Sequence, residues 1–197
     1  MMAHETVVKR AENEKYILKI EQDVDAESPR EWDNLGTMIH WHPRYVLGDR
    51  GISKDDYEGA EEVLKGEGGN VNDLLFLPLY LYDHSGLTMN TTGFHSQWDS
   101  GQVGWIYVTK EKVREWFGVK RVTEAVREKA LERLVGEVSV FDQYLRNDTY
   151  GFILEEKKED GNEEIDSCWG FYGDNVFENG MEHHFTEEHR DLLKKLA

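Results

Sequence analysis

Two polar stretches set among strongly apolar ones hold the side chains best suited to chemistry. The first is Asp83-His84-Ser85-Gly86-Leu87-Thr88-Met89-Asn90, and the second is Gln97-Trp98-Asp99-Ser100-Gly101-Gln102. Each places an Asp and a Ser close before a Gly, next to a predicted strand. If Asp83, His84, Ser85, Trp98, Asp99, Ser100 and Gln102 converge at strand ends, they line one pocket for a small ligand. A plainer task suits the same residues. Short Asp and Ser side chains fold back onto backbone N–H groups and Gly accepts positive φ, so each stretch also reads as a bracing turn. Asp166-Ser167-Cys168-Trp169-Gly170-Phe171 repeats this chemistry inside a strand and adds Asp166 and Trp169 to the candidate ligand-binding residues. Polar groups there need hydrogen-bond partners if the sheet is covered. Cys168 with His84 and an Asp would supply the parts of a nucleophilic triad. No local signature surrounds this cysteine, and a free Cys is most often a small buried hydrophobe.

For metals, His40 and His42 stand two residues apart, so on a strand they would point the same way. Asp33, Asp49 or Asp83 could complete such a divalent-metal set, the basis for a hydrolase reading. Glu21, Asp23, Asp25 and Glu27 alternate in the same manner and suit weak Ca²⁺ binding, although mutual repulsion favours a solvated loop ahead of Pro29. His183-His184 lies in a Gly- and Glu-rich loop and reads as solvated. There is no H-E-x-x-H, paired C-x-x-C or complete calcium loop, and no phosphate-binding glycine motif or G-x-S-x-G. The expectation is therefore no obligatory cofactor, with a divalent metal as the alternative.

The elements that must position these residues follow from periodicity and caps. Tyr16–Ile20 predicts a strand behind a flexible, polar segment 1–14. Ser53 caps a predicted helix through Lys65, with Tyr57, Ala60, Glu61 and Leu64 on one stripe and Gly66 as its stop. Leu74–Tyr82 is apolar on both faces, as in a central strand, and Pro78 then demands a bulge or an edge. Val103–Val108 is a strand running into Thr109, which caps a short helix ending before Gly118. Thr123 caps the longest helix, where Val126, Ala130, Leu134, Val138, Phe141 and Leu145 step by three or four residues. Tyr150–Glu156 and Ile165–Tyr172 form a hairpin around Asp160-Gly161-Asn162. On the first strand Tyr150, Phe152 and Leu154 share a face; on the second Ile165, Ser167, Trp169 and Phe171 do. Thr186 caps a last helix with Leu192, Leu193 and Leu196. Strands and helices do not alternate regularly. The predicted fold class is α+β, a mostly antiparallel sheet covered by one long helix and shorter ones, in a single domain over 15–197.

Charge bounds the partners. The 197 residues carry 40 acids against 23 bases, a formal net charge of −17. Such a surface repels nucleic-acid phosphates and anionic lipid across about 8 Å at physiological salt. Direct nucleic-acid or membrane binding is not expected; a basic protein surface is the expected partner. The bland alternatives are a field that only keeps the protein soluble, or one adapted to high salt or cations. Arg30, His42, Arg44 and Arg50 concentrate basicity in one stretch and read as internal ion-pair partners for the loop aspartates, with an anion site as the competing reading. One cysteine and a first segment without an apolar signal core point to a reducing, cytoplasmic setting.

Four strings carry a resemblance: Ser28-Pro29-Arg30-Glu31-Trp32-Asp33-Asn34-Leu35-Gly36-Thr37-Met38, Leu77 to Gly86, Trp98-Asp99-Ser100-Gly101-Gln102-Val103-Gly104 and Asp166 to Gly173. Together they resemble a family of small proteins encoded by bacterial and archaeal viruses and prophages, over roughly Tyr16 to Gly173. The resemblance implies a genomic setting and accessory roles, such as inhibiting a host-defence factor or supporting viral DNA metabolism. It assigns no site residues. The expected function is a non-enzymatic, virus-type accessory protein acting through an acidic surface, including DNA mimicry. The alternative is a small-ligand binder or metal-dependent hydrolase near the two loops.

Overall fold

The computed structural model describes residues 7–53, 55, 60–68, 70–96 and 98–196. The fold is α+β, and the chain divides into two compact units, Met1–Glu27 with Arg146–Ala197, and Ser28–Leu145. Among the described residues no helix is long and apolar enough to cross a membrane.

In the first unit, strands β1 (Val7–Glu12), β2 (Tyr16–Gln22), β8 (Thr149–Lys158) and β9 (Gly161–Tyr172) form an antiparallel sheet in the order β1-β2-β8-β9. β1 falls where the sequence predicts a flexible segment. Its second half alternates about buried Ala11, and Asn13 Oδ1 accepts the N–H groups of Lys15 and Tyr16, turning the chain back to pair with β2. Tyr16, Leu18, Ile20, Phe152 and Leu154 share the core face. It is sealed by Met181, Phe185, Leu192, Leu193 and Leu196 from the C-terminal segment. That segment makes 3-10 turns at Met181–His184 and Glu187–His189 and only then becomes the short helix α4 (Arg190–Lys194).

The expected shared face of Ile165, Ser167, Trp169 and Phe171 is not found. Register shifts at two points of β9 break the alternation, so Cys168 faces Phe152 and Phe171 faces Tyr150. Trp169 lies over Gly151, where an added Cβ would come within 2.2 Å of its ring.

The second unit is a sheet of order β4-β3-β7-β5-β6: β3 (Thr37–His40), β4 (Arg50–Gly51), β5 (Leu74–Asp83), β6 (Leu87–Asn90) and β7 (Ser100–Thr109). All its pairings are antiparallel except β3 with β4. Leu75, Leu79, Leu81, Met89, Ile106 and Val108 meet Ala130, Leu134, Val138 and Phe141 of the long helix α3 (Glu124–Leu145). Each large side chain so buried contributes roughly 1.5–3 kcal/mol. Thr123 Oγ1 accepts the Val126 N–H, the expected cap. α2 (Lys110–Phe117) starts at Thr109 and stops at Gly118, whose φ of 64° releases the chain from the helix. Val63 and Leu64 of α1 (Ala60–Gly68) join Ile39, Leu74 and Tyr107 in a second cluster. α1 runs through Gly66, past the expected stop; most of the stretch between Ser53 and Ala60, Tyr57 included, lies outside the described residues. Pro78 is tolerated because β6 pairs only with Tyr80–Asp83, and a register shift follows at Leu79/Tyr80.

Candidate functional site

At one end of the second unit, β5 turns into β6 through His84-Ser85-Gly86. Ser85 has φ 59°, Gly86 has φ 156°, and the His84 N–H bonds the Gly86 carbonyl at 3.2 Å. Gly86 takes the positive φ expected of it, whereas Ser85 contributes by its own positive φ and the Asp83 carboxylate goes to Arg44, not to the backbone N–H groups expected. The second polar stretch is only partly a loop, because Ser100, Gly101 and Gln102 belong to β7 and pair with Tyr82, Leu81 and Tyr80. Gln97 lies outside the described residues. The Asp83 N–H donates to the Asp99 carbonyl at 2.9 Å, extending the ladder one step and drawing both turns together.

The side chains are mostly committed locally. Asp83 accepts from Arg44 at 2.8 Å, and the Arg44 guanidinium lies 5.1 Å from the Tyr45 ring centre. Gln102 donates to the Gly104 carbonyl, and the Ser100 hydroxyl donates to the Ser96 carbonyl. His84 Nδ1 stands 3.8 Å from Asp99 Oδ2, both groups open to solvent, and Ser96 Oγ reaches the same carboxylate at 3.5 Å. A nucleophilic triad runs nucleophile, imidazole, carboxylate. Here the hydroxyl approaches the carboxylate and not the imidazole. Trp98, in the same loop, is 96% exposed.

Beside these turns a groove of about 640 Å³ is lined by Tyr80, Phe94, His95, Ser96 and Ser100, among others. Of the predicted pocket residues it takes in only Ser100. Phe94-His95-Ser96 went unremarked in the sequence, although an aromatic, an imidazole and a hydroxyl in a row were a weak signal for it. Asp166 and Trp169 belong to the first unit, on β9, both exposed. Cys168 is there too, its sulfur 3.8 Å from the Trp169 carbonyl oxygen.

His40 and His42 do not form the expected matched pair, because β3 ends at His40. His40 is buried at 5% exposure, and its Nδ1 has no hydrogen-bond partner. Burial, then the nearby His42, holds its pKa below the ordinary value. His42 turns Nδ1 back onto the N–H groups of Arg44 and Tyr45 and stacks on the Tyr45 ring at 4.8 Å. Its pKa is lowered by burial and by Arg44, against the opposing pull of Asp83. Among the described residues no three His, Cys, Asp or Glu side chains gather where a metal ion would be held.

The most heavily engaged charge was not picked out by sequence. Glu137 of α3 is buried and accepts from the Leu35 N–H at 2.8 Å, the Gly36 N–H at 3.1 Å, Arg30 and Arg133. Arg30, only 6% exposed, also grips Asp49 through two bonds of 2.9 and 2.7 Å. Asp49 in turn accepts the Met38 N–H at 2.6 Å. Arg44 thus pairs with Asp83 of the first loop, as expected, whereas Arg30 pairs with Asp49 and Glu137 and with neither loop aspartate. A carboxylate inside the apolar stripe between Leu134 and Phe141 was the signal for Glu137.

No protein-family model, no curated protein and no solved structure matches the chain.

Proposed function

We propose that this chain is a non-enzymatic recognition protein of the virus or prophage accessory type. It acts in the host cytoplasm by docking its acidic surface on a basic protein face, as a host-defence inhibitor or DNA mimic would. The observation that supports it is a division among the carboxylates. Asp49, Asp83 and Glu137 are held by arginines and backbone N–H groups and brace the second unit. Among the described residues Glu137 is the one buried carboxylate, so the other described acids behind the net charge of −17 reach solvent at least in part. On β9, Gly161–Ser167 are exposed and hold Glu163, which pairs with Lys158, and Glu164 and Asp166, with no base in the segment itself. The exposed face of α3 differs, since Glu124, Glu128 and Glu132 alternate there with Arg127, Lys129 and Arg133. A coherent negative surface speeds encounter with a positive one and selects against wrong partners. The resemblance to virus- and prophage-encoded proteins favours the same class of role.

The test is recovery of bacterial host proteins on the immobilised chain at low and high salt, followed by rebuilding any complex from purified components. The expected outcome is a basic partner that binds at low salt, weakens at least about tenfold at high salt, and loses its own DNA binding in the mimic case. If no complex can be rebuilt, or its affinity ignores salt, the reading falls.

A second reading rests on the groove beside the two turns, whose volume lies within the range of small-molecule sites. It predicts a small ligand that raises the melting temperature and changes Trp98 fluorescence. Its metal-hydrolase form predicts a stoichiometric divalent metal in protein purified without chelator, read by elemental analysis.

A further inference from the structure

β9 forms one side of its sheet, and among the described residues no strand pairs beyond it. On such an edge, alternate residues turn N–H and C=O groups outward, ready to pair with another chain. The far end of β9 is pinned. The Gly170 N–H, in a bulge with φ 85°, donates to Asp23 Oδ2 at 3.1 Å, and the Tyr172 hydroxyl donates to the Glu27 carbonyl. That leaves Gly161–Cys168 as the open stretch, which a bulge at Ile165 divides into two short runs, Gly161–Glu164 and Asp166–Cys168.

Its side chains restrict what can pair there. Glu163 is matched by Lys158, whereas among the described residues neither Glu164 nor Asp166 is ion-paired. Ile165 and Trp169 are 44% and 45% exposed, which places apolar surface beside unneutralised acids. A second copy of this chain is a poor occupant, because β9 against β9 would oppose acid to acid, and like charges across a pair destabilise it. The same acids protect the edge from indiscriminate strand pairing. An extended segment rich in Lys or Arg reverses that sign while supplying the missing backbone partners.

We infer that β9 is a docking strand, and that a basic extended segment of a partner protein adds to this sheet beside it. Backbone bonds supply affinity, and cations opposite Glu164 and Asp166 with apolar side chains over Ile165 and Trp169 supply selectivity. The inference rests on the recognition reading above and names the place where recognition occurs.

The experiment uses the full chain and three synthetic octapeptides. One alternates Lys and Val, one alternates Glu and Val, and one carries Pro at alternate positions of the Lys peptide to remove its N–H donors. Calorimetric titration and amide hydrogen exchange are the readouts, on wild type, Glu164→Lys/Asp166→Lys, and the charge-matched control Glu124→Lys/Glu128→Lys on α3. The Lys–Val peptide is expected to bind and slow exchange at residues 162–168. The β9 variant should lose at least about tenfold in affinity while the α3 control stays within about twofold. The Glu and Pro peptides should not bind. Equal binding of the Pro peptide, equal loss in both variants or unchanged β9 exchange would overturn the docking strand while leaving general acidic recognition intact. Absence of binding by any cationic peptide would remove both. A β9-dependent dimer in sedimentation would overturn the choice of occupant.

Discussion

Glu137 is a charge placed where the α3 stripe calls for apolar atoms, Arg30 is the buried base that meets it from the turn at Pro29–Glu31, and their value lies in what they fix. Truncating Glu137 strands two backbone N–H groups, at Leu35 and Gly36, and removes one carboxylate from a buried guanidinium. Breaking such a buried pair costs about 3–5 kcal/mol. Glu137→Ala is expected to lower the urea midpoint accordingly, and Glu137→Gln, which keeps one carbonyl acceptor, to cost less. His40 gives a second expectation. Burial and then His42 hold its pKa below 6.5 in the folded protein, while the unfolded chain takes up its proton near that value. The stability this represents is present above about 6.5 and is lost as pH falls below it toward the folded value. His42 is shifted in the same direction and adds to it. His40→Leu should flatten the acid side of the stability profile by up to about 1.4 kcal/mol per pH unit; an unchanged slope would mean another group carries it.

Elements were legible in proportion to how locally they are determined. The stripes and caps of α2 and α3 depend on residues three or four apart, so Thr109, Gly118 and Thr123 marked true ends. β1 depends on its pairing with β2, and nothing in Val7–Glu12 alone announces a strand. The face of Trp169 was misread because one extra residue in a strand reverses every side chain beyond it. The site divides in the same way. The Ser85-Gly86 turn follows from local chemistry, whereas the Arg44–Asp83 bond spans 39 residues and is a product of the assembled sheet. Close strand approach yields a graded expectation. A Cβ on Gly104 would sit 2.0 Å from the Ile39 carbonyl oxygen, so β3 and β7 must part, and Gly104→Ala is expected to cost about 3 kcal/mol or more. On Gly151 the Cβ would meet the half-exposed ring of Trp169, and a cost of about 1–3 kcal/mol with a shift in tryptophan emission is expected. Denaturant titration of the two variants checks the ranking.

Across the whole molecule, Ser28–Leu145 is a continuous stretch, whereas the other unit is built from two separated pieces. The stretch departs and returns at neighbouring positions, since Gln22 pairs with Tyr150 and the Asp23 N–H bonds the Thr149 carbonyl. Residues 28–145 produced alone are expected to unfold cooperatively, followed by circular dichroism in urea, and a broad non-cooperative transition would count against an independent core. The same connectivity orders events on the ribosome. The continuous unit can complete its sheet and α3 as soon as Leu145 has cleared the exit tunnel. Tyr16–Gln22, already synthesised, must wait with an unsatisfied β8 side until Thr149–Lys158 emerges more than a hundred residues later. During that interval the nascent chain presents an open, apolar strand, so chaperone dependence should track the first-made segment and fall when translation of the middle of the message is hastened.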